Sequence, residues 1–146
     1  MGNCIYCGKP AGLLRSKHAE CEERHQQRER VIQEGRQKIC FEVLSAIKSS
    51  ESFDGFEKTI AEIEKTFYVP STERNALLVK GWEHAVEQFL EDGILDKAEE
   101  ERLVQFKEQF ALSQRELDKN GALTKTIKAA VLRDILNGVI PQRMSV

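Results

Sequence analysis

The 146-residue sequence has no apolar stretch of about 18 residues, the length that a transmembrane helix needs. Its N-terminus also lacks the charged start and the apolar stretch of a secretory signal. From these two absences we expect a cytoplasmic protein without a membrane span. The length suits about one ordinary domain with a core of its own. The 40% hydrophobic and 32% charged residues are typical of a helix-rich globular protein.

Motifs for catalysis and nucleotide binding are missing as well. The sequence has no P-loop and no dinucleotide-binding fingerprint. His84, the histidine outside the N-terminal segment, has no nearby serine, cysteine or aspartate pattern that would suggest a catalytic triad. We therefore expect a protein that is not an enzyme and has no catalytic residues. A hydrolase or redox enzyme is our third hypothesis, and redox work would require Cys4 and Cys7 to be free of metal.

Four cysteines are present, and three of them stand with a histidine at metal-ligand spacing. The pattern C-x2-C-x10-H-x2-C is formed by Cys4, Cys7, His18 and Cys21. The C-x2-C pair can place two thiolates on one ion, and His18 and Cys21 share a helical face because they are three residues apart. Three thiolates and one imidazole complete a structural zinc site with no position left for water. We predict one structural Zn2+ ion in a segment too short to fold without it.

Two other residues bear on this site. His25 lies four residues after Cys21 and is the alternative fourth ligand in place of His18. The paired x2 spacings favour His18 because they match small zinc knuckles and treble-clef-like sites. Cys40 is isolated within an apolar helical pattern, so we expect it to be a small buried hydrophobic residue.

After residue 21 no strand-like alternation of useful length occurs, and helical periodicity dominates. We predict an all-α bundle of five to six helices, with a zinc knuckle in residues 1–24 and the bundle in residues 25–146. The first helix should run from about Lys17 to Ile47, with Gly35 as a candidate kink, and its first half is polar. The apolar stripes of the later helices are Phe53, Phe56, Ile60, Ile63 and Phe67; Leu78, Trp82, Ala85, Val86 and Phe89; Leu103, Phe106 and Phe110; and Leu123, Ile127, Val131 and Ile135.

One turn in the middle of the chain combines a helix start with a partial metal-binding pattern. Asp96 and Glu99 form a capping-box variant. The stretch 92–99 also matches the second half of an EF-hand loop, but the earlier positions that need carboxylates hold Gln88 and Leu90. We therefore predict a capped helix–turn–helix corner instead of a calcium site.

The same turn carries a resemblance to a known family. The segment Leu90-Glu91-Asp92-Gly93-Ile94-Leu95-Asp96, followed by Glu99-Glu100-Glu101 and Leu103, resembles the turn-and-cap signature of TerB-like domains. These are small all-helical bacterial modules linked with tellurite resistance and with stress or phage-defence gene sets. The resemblance covers roughly residues 40–140, and 120–124 resembles a second copy of the turn without its acidic residues. The carboxylates behind the family's association with metals map only onto Asp92, Asp96, Glu99 and Glu100, so we do not extend metal binding to this region.

Charge is distributed unevenly along the chain. Residues 1–38 carry eight Lys or Arg and five Glu, a net charge of +3, whereas the remainder has 14 basic and 19 acidic residues and carries −5. Our first functional hypothesis is a non-catalytic, zinc-stabilised interaction or scaffold module in bacterial stress response or phage defence. Its partner would be another protein or a C-terminal domain beyond 142–146, where the sequence has no natural stop. The second hypothesis is nucleic-acid binding through the knuckle and the basic first helix, against which the interspersed glutamates argue.

Overall fold

The computed structural model describes residues 2–5, 7–12 and 18–138. Two short strands, β1 (Gly2–Asn3) and β2 (Pro10–Gly12), form an antiparallel hairpin. Six α-helices follow within the described part: α1 Ala19–Lys48, α2 Phe56–Phe67, α3 Arg74–Phe89, α4 Lys97–Gln109, α5 Gln114–Asp118 and α6 Ala122–Leu136. A 3-10 turn, Ser71–Glu73, leads directly into α3. The predicted all-α bundle with a small N-terminal knuckle is confirmed.

Helix α1 is the longest element, and it packs against both α2 and α3. Its buried residues all lie in the second half: Gly35, Ile39, Cys40, Val43 and Ile47. They recur at positions i, i+4, i+5, i+8 and i+12, which lie on one face, as an amphipathic helix requires. The polar first half and the core-facing second half therefore agree with the sequence pattern. The predicted start at Lys17 lies outside the described residues, and the helix runs unbroken through residues 24 and 25.

Two buried glycines allow α1 to approach its neighbours closely. A Cβ atom at Gly35 would lie 2.7 Å from Cγ2 of Val69, and one at Gly81 would lie 2.6 Å from Cγ1 of Val43. Both separations are shorter than a normal carbon–carbon contact of about 3.5 Å. The helix continues through Gly35, where the sequence suggested a kink. Gly35 therefore provides room for the chain after α2, and it does not interrupt α1.

The apolar stripes predicted for α2, α3 and α4 form the core. Trp82 on α3 is 2% exposed, and its Nε1–H donates a hydrogen bond to the carbonyl of Leu103, at 3.0 Å. Four phenylalanines at the start of α2 and the end of α4, Phe53, Phe56, Phe106 and Phe110, contact one another, and three of their ring pairs meet edge to face; the centroids of Phe53 and Phe106 are 5.4 Å apart. Trp82 is thus a core residue with its one polar atom satisfied.

Helix α6 buries a different face from the one predicted. Ile127 and Ile135 are 45% and 52% exposed, and Leu123 and Val131 are only half-buried. The side chains that face inward are mostly small or polar: Ala122, Thr126, Ala129, Ala130 and Arg133. The buried face predicted from the apolar stripe of this helix is therefore wrong.

Arg133 explains why a polar face can turn inward. Its guanidinium donates to the Leu95 carbonyl at 3.1 Å, to Glu100 at 2.6 Å and to Asp134 at 2.9 Å. A buried guanidinium is tolerated when its donors are paired, and here all three partners are oxygen acceptors. The contact ties α6 to the corner between α3 and α4, which the periodicity of α6 alone could not indicate.

The turn between α3 and α4 has the predicted capped geometry. Asp96 Oδ1 accepts from the Glu99 amide at 2.8 Å, and Glu99 Oε1 accepts from the Asp96 amide at 3.1 Å, which completes a capping box. Asp92 accepts from the Ile94 amide at 3.0 Å, and Gly93 has a φ of +81°. The carboxylates of Asp92, Asp96 and Glu99 thus accept hydrogen bonds from backbone amides of the turn.

Candidate metal centre

The four predicted ligands lie together at the start of the chain. One donor atom from each residue lies within 4.8 Å of all the others, in a group made of Cys4, Cys7, His18 and Cys21. The sulfurs of Cys7 and Cys21 are 3.5 Å and 3.6 Å from Nδ1 of His18. Zinc bond lengths of about 2.3 Å to sulfur and 2.0–2.1 Å to nitrogen, at tetrahedral angles, separate the two atoms by about 3.6 Å. The group is therefore close enough to hold one metal ion.

A tight turn presents the first two cysteines. The amide of Gly8 donates to the Cys4 carbonyl at 2.9 Å, and the amide of Cys4 donates to the Lys9 carbonyl at 2.7 Å. Gly8 has a φ of +75°, a conformation that costs glycine little because it has no Cβ atom. The glycine directly after Cys7 thus lets the chain reverse into β2 while both sulfurs face the same ion position.

The histidine ligand is oriented by a backbone carbonyl. Nε2 of His18 lies 2.6 Å from the carbonyl oxygen of Pro10. A carbonyl can only accept a hydrogen bond, so Nε2 carries the hydrogen and Nδ1 of the neutral ring keeps its lone pair. Nδ1 is also the atom nearest the cysteine sulfurs. In metal-bound histidines such a hydrogen bond from the other ring nitrogen fixes the tautomer and the orientation of the ring.

The protonation of these groups opposes metal binding at low pH. The hydrogen bond to the Pro10 carbonyl, followed by the one with Cys7, raises the pKa of His18. Desolvation, followed by hydrogen bonds with Cys7 and Cys4, raises the pKa of Cys21 to about 11. Thiols packed together keep their protons unless a cation compensates the thiolate charge, so a metal ion would bind with release of protons.

His18 also begins helix α1. It occupies the N-cap position with extended backbone angles, φ −78° and ψ 144°, and its side chain makes no cap hydrogen bond. Its backbone amide instead donates to the Cys4 sulfur at 3.3 Å. Cys21 follows in the first turn, so the second ligand pair comes from the helix start. The ligand group therefore joins the hairpin to α1.

The alternative ligand, His25, is not a member of the described group. It lines a surface pocket beside the site with Ile5, Arg24 and Arg28, and Cys7 and Cys21 form the rest of the wall. Ile5 is 67% exposed there. The geometry therefore groups His18 with the three cysteines and leaves His25 on the adjoining surface.

The remaining candidate residues lie elsewhere. Cys40 is buried with a raised pKa owing to desolvation, and its thiol faces the Leu77 carbonyl at 3.7 Å, so the expected small buried residue is confirmed. His84 lies on α3 and lines a groove with Cys40. In the α3–α4 corner the carboxylates of Asp92, Asp96 and Glu99 accept hydrogen bonds from backbone amides, and that of Glu100 pairs with Arg133.

No family model, curated protein or solved structure matches this chain. None of the helices in the described ranges is both long enough and apolar enough to cross a membrane. The function is therefore argued from the metal centre and from the exposed surfaces of this molecule.

Proposed function

We propose that the protein is a non-catalytic interaction module whose N-terminal knuckle is folded by one structural zinc ion. The four-ligand group of Cys4, Cys7, His18 and Cys21 carries the proposal. Thiolate and imidazole donors in a tetrahedral arrangement suit zinc, and four protein ligands leave no site for water or substrate. The ion would stabilise the fold and would take no part in a reaction.

The first half of α1 supports a role in binding another molecule. None of the side chains in residues 19–30 is buried, and most are exposed. At 1.5 Å per residue this stretch is about 18 Å long. The ligand group holds one of its ends, and the core-facing half of α1 holds the other. A helix fixed at both ends and exposed between them presents polar side chains with little loss of conformational entropy on binding.

We also propose that the bundle, in residues 25–146, is a TerB-like domain and that the protein acts in the bacterial cytoplasm in stress response or phage defence. The capping box of Asp96 and Glu99 after Gly93 supports this proposal. A second turn with the same sign of φ occurs at Gly121, which has a φ of +81° before α6. The resemblance to that family leads us to expect a second turn at this place, and Gly55 before α2 has the same φ, so this sign of φ alone is not particular to the family.

Metal analysis tests the proposal directly. Protein purified under reducing conditions without added metal should contain one zinc ion per chain, as measured by inductively coupled plasma mass spectrometry. The double variant Cys4→Ser/Cys7→Ser should contain none. Cys40→Ala is the matched control, because Cys40 lies in the bundle and should leave the zinc content unchanged. Freshly purified wild-type protein without metal would overturn the proposal and would favour a thiol-based role for Cys4 and Cys7.

Nucleic-acid binding is the second candidate, favoured by the basic pocket beside the metal centre. Arg24, His25 and Arg28 lie there next to the exposed Ile5. Arg24 is partly compensated by Glu20, at 3.8 Å. Binding of mixed-sequence DNA or RNA that weakens steeply with salt, and that is lost in Arg24→Glu/Arg28→Glu, would favour this candidate. An interaction module should show no such binding at physiological salt.

A further inference from the structure

The surface between α1 and α3 contains a groove away from the metal centre. Its floor is apolar and consists of Cys40, Leu44 and Leu77. Phe41 stands at its edge with 63% of its surface exposed, although it follows directly after the buried Cys40. A large aromatic side chain exposed beside an apolar floor is the usual composition of an anchor point in a protein interface.

The rim of the groove is basic. It is formed by Arg36 on α1 and by Lys80 and His84 on α3, with two glutamines beside them. Glu73 compensates Arg36 through hydrogen bonds of 2.7 Å and 3.0 Å. Lys80 is exposed, and no acidic side chain is among the residues described as lining the groove. Lys80 therefore offers a positive charge that a partner can compensate.

The size of the groove limits what it can hold. Its volume is about 280 Å³, at the lower end of the range of about 300–1,000 Å³ that is usual for sites of cofactors and small molecules. The space suits one or two large apolar side chains. Burial raises the pKa of the Cys40 thiol, so its reactive thiolate form is disfavoured. The groove therefore has the features of a docking site and lacks those of a reaction centre.

We propose that this groove binds an acidic segment of a partner protein, with one or two large apolar side chains inserted between α1 and α3. The inserted side chain would contact Phe41, Leu44 and Leu77. Asp or Glu residues flanking it in the partner would pair with Lys80 and accept a hydrogen bond from His84. This inference rests on the proposed function as an interaction module and specifies the chemistry of its partner.

Selection from a random peptide display library on the full-length, zinc-loaded protein tests this inference. The enriched peptides should combine Leu, Phe or Trp with Asp or Glu. Their affinity should fall about tenfold or more in Phe41→Ala and in Lys80→Glu, because each change removes one of the two complementary features. The matched controls are Ile127→Ala and Lys125→Glu, which change an exposed apolar residue and an exposed lysine on α6. The controls should leave the affinity unchanged.

Three results would overturn the inference: enrichment of basic peptides, peptides that bind Phe41→Ala and Lys80→Glu as tightly as the wild type, or no enrichment at all. Zinc content measured on the same protein separates this failure from failure of the proposed function. Peptides that instead lose affinity in Arg24→Glu/Arg28→Glu would leave an interaction module but would move its binding surface to the knuckle.

Discussion

The N-terminal knuckle and the helical bundle differ in what can stabilise each of them. Among the side chains described in residues 2–21, only that of Cys4 is buried. The bundle, in contrast, buries large side chains such as Trp82, Phe106 and Ile39 almost completely. Burial of apolar surface can stabilise the bundle at about 25 cal/mol per Å², whereas the knuckle has too little of it to compensate the chain entropy. We therefore expect the knuckle to depend on a metal ion for folding and the bundle to depend on its apolar core.

Metal removal should produce the largest difference between the two parts. Binding to structural zinc sites of this kind contributes about 10–16 kcal/mol to folding in isolated peptides. A strong chelator should therefore abolish the dispersed NMR signals of residues 2–21, while the signals of α2–α6 and the main thermal transition change little. Loss of the knuckle signals together with an unchanged thermal transition would show that the knuckle depends on the metal and that the bundle does not.

The Cys40→Ala variant is the control for the chelation experiment. It should keep both the zinc and the dispersed signals of the knuckle, because its thiol faces Leu77 inside the bundle. If chelation melted the bundle as well, the separation of the two parts would be contradicted. The ion would then support the core through α1.

Truncation of the central tryptophan should destabilise the bundle and leave the knuckle intact. Trp82→Ala removes a side chain that is 2% exposed and breaks its hydrogen bond to Leu103. The expected loss is about 3–5 kcal/mol in the free energy of unfolding, measured by urea denaturation. Ile127→Ala, at a site 45% exposed, should change it by less than about 1 kcal/mol. Under native conditions both variants should keep their zinc, and release of zinc by Trp82→Ala would show that the two parts are coupled.

Gly35→Ala tests the close contact beside α1, where two effects have opposite signs. Alanine is the better helix former by about 0.8–1.0 kcal/mol. Its Cβ atom would lie 2.7 Å from Val69 and even closer to Phe67, and overpacking of this kind costs about 1–3 kcal/mol. We expect net destabilisation by up to about 2 kcal/mol in urea denaturation. Ser45→Ala, at an exposed site of the same helix, should be neutral or slightly stabilising. A more stable Gly35→Ala variant would show that α1 and the end of α2 are loosely packed.

The smallest effect should be seen at the start of α6. The hydroxyl and the amide of Thr124 both donate to Asp118, at 2.7 Å and 3.0 Å, and these bonds lower the pKa of the Asp118 carboxyl. A carboxyl whose pKa is lower in the folded state stabilises the fold above its unfolded-state pKa, and this contribution is lost as the pH falls. The stability of the wild type relative to Asp118→Asn should therefore decrease as the pH is lowered from neutral to acid. A difference that does not change with pH would contradict the assigned role of the carboxylate.

Predictions from the sequence succeeded where the determining residues are close together in the chain. The C-x2-C and H-x2-C spacings bring their ligands together locally, and the capping box of Asp96 and Glu99 spans three residues. The prediction of the buried face of α6 was wrong because Arg133 donates hydrogen bonds to Leu95 and Glu100, more than thirty positions away in the sequence.

Two supporting contacts could not be predicted from the sequence. The Pro10 carbonyl that orients His18 is a backbone group, so no residue type signals it. Asp118 caps α6 from a position six residues before Thr124, outside the spacing of a usual N-cap. In both cases the acceptor is placed by the path of the chain, which only the folded structure specifies.

The position of His18 at the start of α1 has an electrical consequence. With a divalent ion bound, three thiolates and a neutral imidazole would leave the centre with one net negative charge. That charge would lie at the N-terminus of a 30-residue helix, where the aligned peptide dipoles and the unpaired amides produce a positive potential. Glu20 and Glu22 in the same first turn also interact favourably with this potential, although their charges repel a negative centre. The three-cysteine composition of the site would therefore strengthen the attraction between the metal centre and the helix that follows it.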